Sequence, residues 1–155
     1  MSLRAALLAI AFVLLALAIV TPRSSSSKGT YAADITRTPG VLNPDVTQSN
    51  IATTICRHGW TKTIRPPTSY TNELKQKQMR EYGVGGALSD YQEDHLISLE
   101  LGGHPTDPRN LWPEPYPRAS EVDSIENDLN SRVCSGQVSL EQAQLEESEL
   151  KHKNG

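Results

Sequence analysis

The chain has 155 residues, 37% of them apolar and 5% aromatic, with a formal net charge of −3 at pH 7. About 100–150 residues is the usual size of one domain, so multi-domain and multi-span membrane architectures are excluded. The charge excludes a uniformly basic nucleic-acid binder, yet it is uneven. Residues 51–82 carry Arg57, Lys62, Arg65, Lys75, Lys77 and Arg80 against Glu73 and Glu81, whereas residues 121–150 carry eight acids against Arg132 alone. Such a dipolar chain can hold a basic face despite its acidic total.

The N-terminus reads as an address. Ala5 to Val20 is an unbroken apolar run. As a helix it would span about 24 Å, short of the ~30 Å hydrocarbon core. Ala16-Leu17-Ala18 fits a small-x-small cleavage site, so residues 1–20 suit a secretory signal peptide. An uncleaved anchor is the alternative, and the only case in which this protein meets a membrane. Either way the remainder is expected outside the cytoplasm, secreted or in the periplasm or cell envelope. Residues 21–45, with four consecutive serines near their start, read as a flexible linker. The domain is expected over 46–150.

Export gives meaning to Cys56 and Cys134, the only two cysteines. An oxidising compartment favours a disulfide between them, closing a loop of about half the chain. Metal ligation by Cys56 with His58 is the competing reading, but without a CxxC pair the metal signal is weak.

Val46 to Trp60 leads to Cys56 as a short helix or strand. Pro66-Pro67 breaks the chain before a helix over 71–82, stopped by Gly83, Gly85 and Gly86. Residues 91–101 read as a strand, with Leu96, Ile97, Leu99 and Leu101 partly alternating with polar positions. After a turn containing Gly102-Gly103 and Pro105 to Pro108, residues 109–112 return as a short strand that Pro113 ends. Ser120 caps a helix whose Val122, Ile125, Leu129 and Val133 recur at offsets 0, 3, 7 and 11. Gly136 stops it. Ser139 to Gln142 fits a capping box opening a last, polar helix that frays before Gly155.

The stretch Glu93-Asp94-His95-Leu96-Ile97-Ser98-Leu99-Glu100-Leu101-Gly102-Gly103, followed by Asn110-Leu111-Trp112-Pro113, resembles the HNH endonuclease family. The likeness covers about 91–136 and includes the separation of 15 between His95 and Asn110. Cys56 and Val133-Cys134-Ser135-Gly136 are similar to features of a small exported branch with one disulfide. The resemblance implies an α+β fold with a ββα-metal core, a hairpin and a helix around one divalent metal, plus flanking helices. It implies Asp94 as a metal ligand and His95 as the general base. Asn110 would hold the hairpin loop and orient the imidazole.

The chemistry agrees with those roles. Phosphodiester hydrolysis needs an activated water, positive charge on the developing anion, and fixed geometry. An imidazole with a pKa near 6.5 accepts a water proton near neutrality, and an amide can donate and accept at once. A further ligand is expected from the helix after the hairpin. On a wheel turning about 100° per residue from Val122, Glu126 falls about 40° round and Asp123 about 100° round. Both flank the apolar stripe, and Glu126 is the nearer. The common family pattern has His or Asn about nine residues after the central Asn, but here position 119 is Ala. This oxygen-rich set suits Mg²⁺ or Mn²⁺, with Zn²⁺ as the alternative.

Arg109, Lys75, Lys77 and Arg80 are candidate phosphate contacts, each with a solvated-surface reading beside it. His104 reads as a turn residue and Trp112 as core. The expected function is a metal-dependent endonuclease acting on nucleic acid, DNA before RNA. The alternative is a non-catalytic exported binding module that keeps the hairpin–helix scaffold.

Overall fold

The structure, a computed structural model, describes residues 32–155. The signal-peptide or anchor segment 1–20 and the linker portion 21–31 lie outside the described residues. Among the described residues no helix is long and apolar enough to cross a membrane.

The fold is α+β: one antiparallel two-stranded sheet packed among helices. A 3-10 turn at Gln48–Thr53 leads to the short helix α1, Trp60–Ile64, and Pro67 opens α2, Thr68–Glu81. Strand β1, Tyr91–His95, pairs with β2, Leu111–Pro115. Between them lie 3-10 turns at Leu99–Leu101 and Pro108–Asn110. Helices α3, Arg118–Cys134, and α4, Leu140–Asn154, complete the chain.

Strand β1 ends at His95, well short of the expected end at Leu101. The reason is burial on every side: Leu96, Ile97, Leu99 and Leu101 are all in the core. A strand would turn alternate residues outward, so the chain coils into a 3-10 turn and buries them together. Gly102 closes that turn at φ 77°, in the left-handed region. Strand β2 runs through Pro113 and Pro115, which pair with Glu93 and Tyr91. A two-stranded sheet leaves each strand one edge free of partners, so the missing proline N–H groups need not break the ladder.

The expected amphipathic stripe of α3 is present. Val122, Leu129 and Val133 are buried, the last two against Val46, Ile55, Ile97, Leu101, Leu140 and Ala143. Each large apolar side chain so buried stabilises the fold by about 1.5–3 kcal/mol. Trp112 is fully buried beside Ala33 and Leu96, with Tyr82 tilted against it at 6.3 Å between ring centroids. Cys56 and Cys134 form the disulfide, Cα to Cα 5.6 Å, tying the segment before α1 to the end of α3.

Two regions differ from expectation. Residues 32–45 of the expected linker are packed on the domain, where Leu42 bridges Gly103 and Gly40 N donates to Arg109 O at 3.1 Å. Helix α4 does not fray: Ser139 Oγ caps Gln142 N at 3.1 Å and the helix reaches Asn154. Its buried residues are Leu140, Ala143, Glu147 and Lys151, spaced as one helical face. That face carries charge into the interior.

Candidate functional site

Asn110 ends the loop that joins the strands, and it is wholly buried. Its Oδ1 accepts Ile97 N at 3.0 Å, while Nδ2 donates to Ile97 O and His104 O, each at 3.0 Å. One amide thus fastens both ends of the loop. Gly103 makes the close approach feasible, since a Cβ there would lie 1.7 Å from Ile97 O. His104 is a turn residue: its Nδ1 accepts Thr106 N at 3.2 Å and Asp107 N at 2.9 Å.

The loop in turn positions His95. The His95 Nε2 lies 3.0 Å from Pro105 O, one residue beyond the carbonyl that Asn110 holds. A carbonyl can only accept, so Nε2 carries the proton and Nδ1 of the neutral ring keeps its lone pair. The side chain is 5% exposed. Burial pushes its pKa below the usual 6.5, and Lys151 and Arg65 push it the same way against Pro105 O and Asp94. The imidazole is therefore neutral at neutral pH.

Strand alternation turns Asp94 to the opposite face, where Gln92 Nε2 donates to its Oδ1 at 3.1 Å. On that side Lys151, at the end of α4, is completely buried. Its Nζ donates to Asp94 Oδ2 at 2.7 Å, to Glu126 Oε1 at 2.6 Å and to His95 O at 2.5 Å. Glu147 Oε1 stands 3.3 Å away, and both Glu147 oxygens accept Ser98 N at 3.0 Å. Although burial opposes it, the surrounding carboxylates hold the ammonium pKa well above its usual value. Asp94 is pushed up by burial, but Lys151 and the neighbouring Glu114 carboxyl outweigh that and hold it low. Glu114 is the protonated partner, pushed up to about 9 by burial and by the Asp94 charge. Burial likewise raises Glu126 and Glu147.

Glu126, nearer the apolar stripe, is the α3 carboxylate that the fold brings to Asp94. Asp123 is not brought there: it is exposed, and its charge acts on Glu100, which also feels Arg65. The metal expected between Asp94 and Glu126 finds its place taken by Lys151 Nζ. Among the described residues no group of three His, Cys, Asp or Glu side chains is arranged to hold a metal.

The phosphate candidates separate. Lys75 is buried, and its Nζ donates to Leu88 O and Tyr91 O, both at 2.8 Å, pinning the start of β1 to α2. It is a structural lysine, because two carbonyls hold its ammonium in the interior. Arg109 is exposed, but its guanidinium is bidentate on Asp107, at 3.0 and 2.7 Å. Lys77 and Arg80 line an open groove of about 500 Å³ with Tyr70, Glu73 and Pro108. Arg65, at the end of α1, is, beside Lys151, a cation whose field reaches His95.

Sequence reasoning missed Lys151, Glu147 and Glu114. A signal existed for the first two: Ala143, Glu147 and Lys151 recur at four-residue steps, one face of a helix. Comparisons with known protein families, with curated proteins and with solved structures found no match.

Proposed function

We propose that this protein is an HNH-type endonuclease that hydrolyses phosphodiester bonds, in DNA before RNA, with His95 as general base. The observation carrying this reading is the neutral His95 ring, its Nε2–H bonded to Pro105 O and its Nδ1 left as an acceptor. Nδ1 takes a proton from the attacking water, the water oxygen bonds to phosphorus, and the bridging P–O bond breaks. The leaving oxygen takes its proton from solvent. Arg65, placed to act on His95, would draw the phosphate toward the ring. Asn110 acts through the loop as a positioning residue. The disulfide supports an exported protein, since such bonds persist in oxidising compartments.

The resemblance also implies a divalent metal, Mg²⁺ or Mn²⁺ first. Asp94 and Glu126 converge as such a site requires, but on an ammonium. As placed they do not fit a metal. That same occupancy favours a second reading, an exported binding module without catalysis.

The two readings part in a nuclease assay on plasmid and single-stranded DNA, with EDTA and with added Mg²⁺, Mn²⁺ or Zn²⁺. Cleavage that His95→Ala removes supports the nuclease. DNA binding without cleavage under every condition supports the module and overturns the nuclease.

A further inference from the structure

The Lys151 ammonium is enclosed by oxygens from separate elements: Asp94 and the His95 carbonyl of β1, Glu126 of α3, and Glu147 of α4 itself. Asp94 Oδ2 lies 2.7 Å from Nζ, the length of a charge-assisted hydrogen bond, whereas Mg²⁺ would demand oxygens at about 2.0–2.1 Å in octahedral array. An ammonium and a divalent ion cannot share this point.

Nor is the lysine on a loose tail. The Lys151 carbonyl accepts Ala33 N at 3.0 Å and Gly155 N at 3.1 Å. Arg118 Nε donates to Gly155 O at 2.6 Å, and His152 Nε2 lies 3.0 Å from Thr38 O. Residues 33–38 and the start of α3 therefore hold the last turn of α4 in place. We propose that Lys151 is the resident cation of this centre, a tethered charge filling the place between Asp94 and Glu126 that a divalent metal would need. The acidic side chains close on the ammonium, and the helix that carries it closes the centre to metal. This inference stands apart from whether nucleic acid is cut, because its readout is ion binding.

The test is Mn²⁺ titration of the full chain, following free Mn²⁺ by electron paramagnetic resonance and the melting temperature in parallel. The unsubstituted protein should show no saturable Mn²⁺ uptake that Asp94→Asn removes. Lys151→Met, which keeps the stem and deletes the charge, should bind Mn²⁺ at least tenfold more tightly, about 1.4 kcal/mol. It should also melt higher with Mn²⁺, or fold only in its presence. Adding Asp94→Asn to Lys151→Met should abolish both gains. Stoichiometric Mn²⁺ bound by the unsubstituted protein and lost in Asp94→Asn overturns the proposal. So does a Lys151→Met protein that gains neither Mn²⁺ affinity nor an Mn²⁺-dependent melting transition.

Discussion

Asn110 and Ile97 bond to each other twice across the hairpin loop, side-chain oxygen to backbone N–H and side-chain nitrogen to backbone carbonyl, each at 3.0 Å. The pair imitates a strand rung at the point where β1 has stopped being a strand. It thereby fixes the loop whose Pro105 carbonyl holds the His95 ring.

Asn110→Ala would strand the buried Ile97 N–H and leave the Ile97 and His104 carbonyls without the amide. A buried polar group left unpaired costs about 1–3 kcal/mol, so urea unfolding should show a loss of at least that size. Asn110→Asp keeps the acceptor and loses the donors, and should fall between. Unfolding curves indistinguishable from the parent protein would contradict the clamp.

His95→Ala should lower nuclease activity about 10²–10⁴-fold, the usual worth of a general base, with little change in fold. Because burial depresses the imidazole pKa, the acid limb of the activity profile should lie below pH 6.5. The stability sign follows: the unfolded ring binds a proton at higher pH than the folded one. The stability that His95 contributes is complete above the unfolded pKa and is lost as pH falls toward the folded one. A kcat profile with its acid limb above pH 6.5 would count against a buried neutral base.

Glu93 and Glu114 titrate in the opposite sense. Burial pushes Glu93 up to about 8 and Glu114 to about 9. Neither Glu93 oxygen finds a hydrogen-bond partner among the described residues. In the unfolded chain both release their protons near pH 4.5, so the folded state holds more protons between there and pH 8–9. Their contribution is complete below the unfolded pKa and is lost as pH rises, at up to about 1.4 kcal/mol per unit for each group. Glu93→Gln, which keeps the shape of the neutral acid, should remove its share of that slope in urea melts from pH 5 to 9. An unchanged slope would show that Glu93 is ionised in the fold.

Reducing the Cys56–Cys134 disulfide should lower stability by about 4–5 kcal/mol in the chain-entropy model. Calorimetry with and without reductant measures this. Thiol titration of denatured, unreduced protein should find no free thiol, and two free thiols would contradict the bond.

The turn at Gly102-Gly103, the core face of α3 and the Cys56–Cys134 pair were legible because each is a local pattern. Helical spacing, turn residues and cysteine count act over a few positions or, for the cysteines, by elimination. Asn110 stood out through the resemblance, and an amide's capacity to donate and accept at once suits the loop it closes. The end of β1 was less legible, since Leu96 to Leu101 alternates well enough for a strand. Only the finished core shows that all four apolar side chains are buried at once, which a half-exposed strand cannot do.

Helical spacing marks the face that carries Lys151, but not the partners that its ammonium meets. A lysine in a polar helix belongs in water by every local rule, because burying an unpaired ammonium costs several kcal/mol. That cost is offset only when carboxylates arrive around it. Here Asp94 lies 57 positions away and Glu126 lies 25 away. The sequence determined that Asp94 and Glu126 are acidic side chains and that α4 is a helix. Only the packing of α4 against the sheet and α3 decided which cation those charges meet, because Coulomb energy in a dry interior depends on distances that no spacing along the chain records.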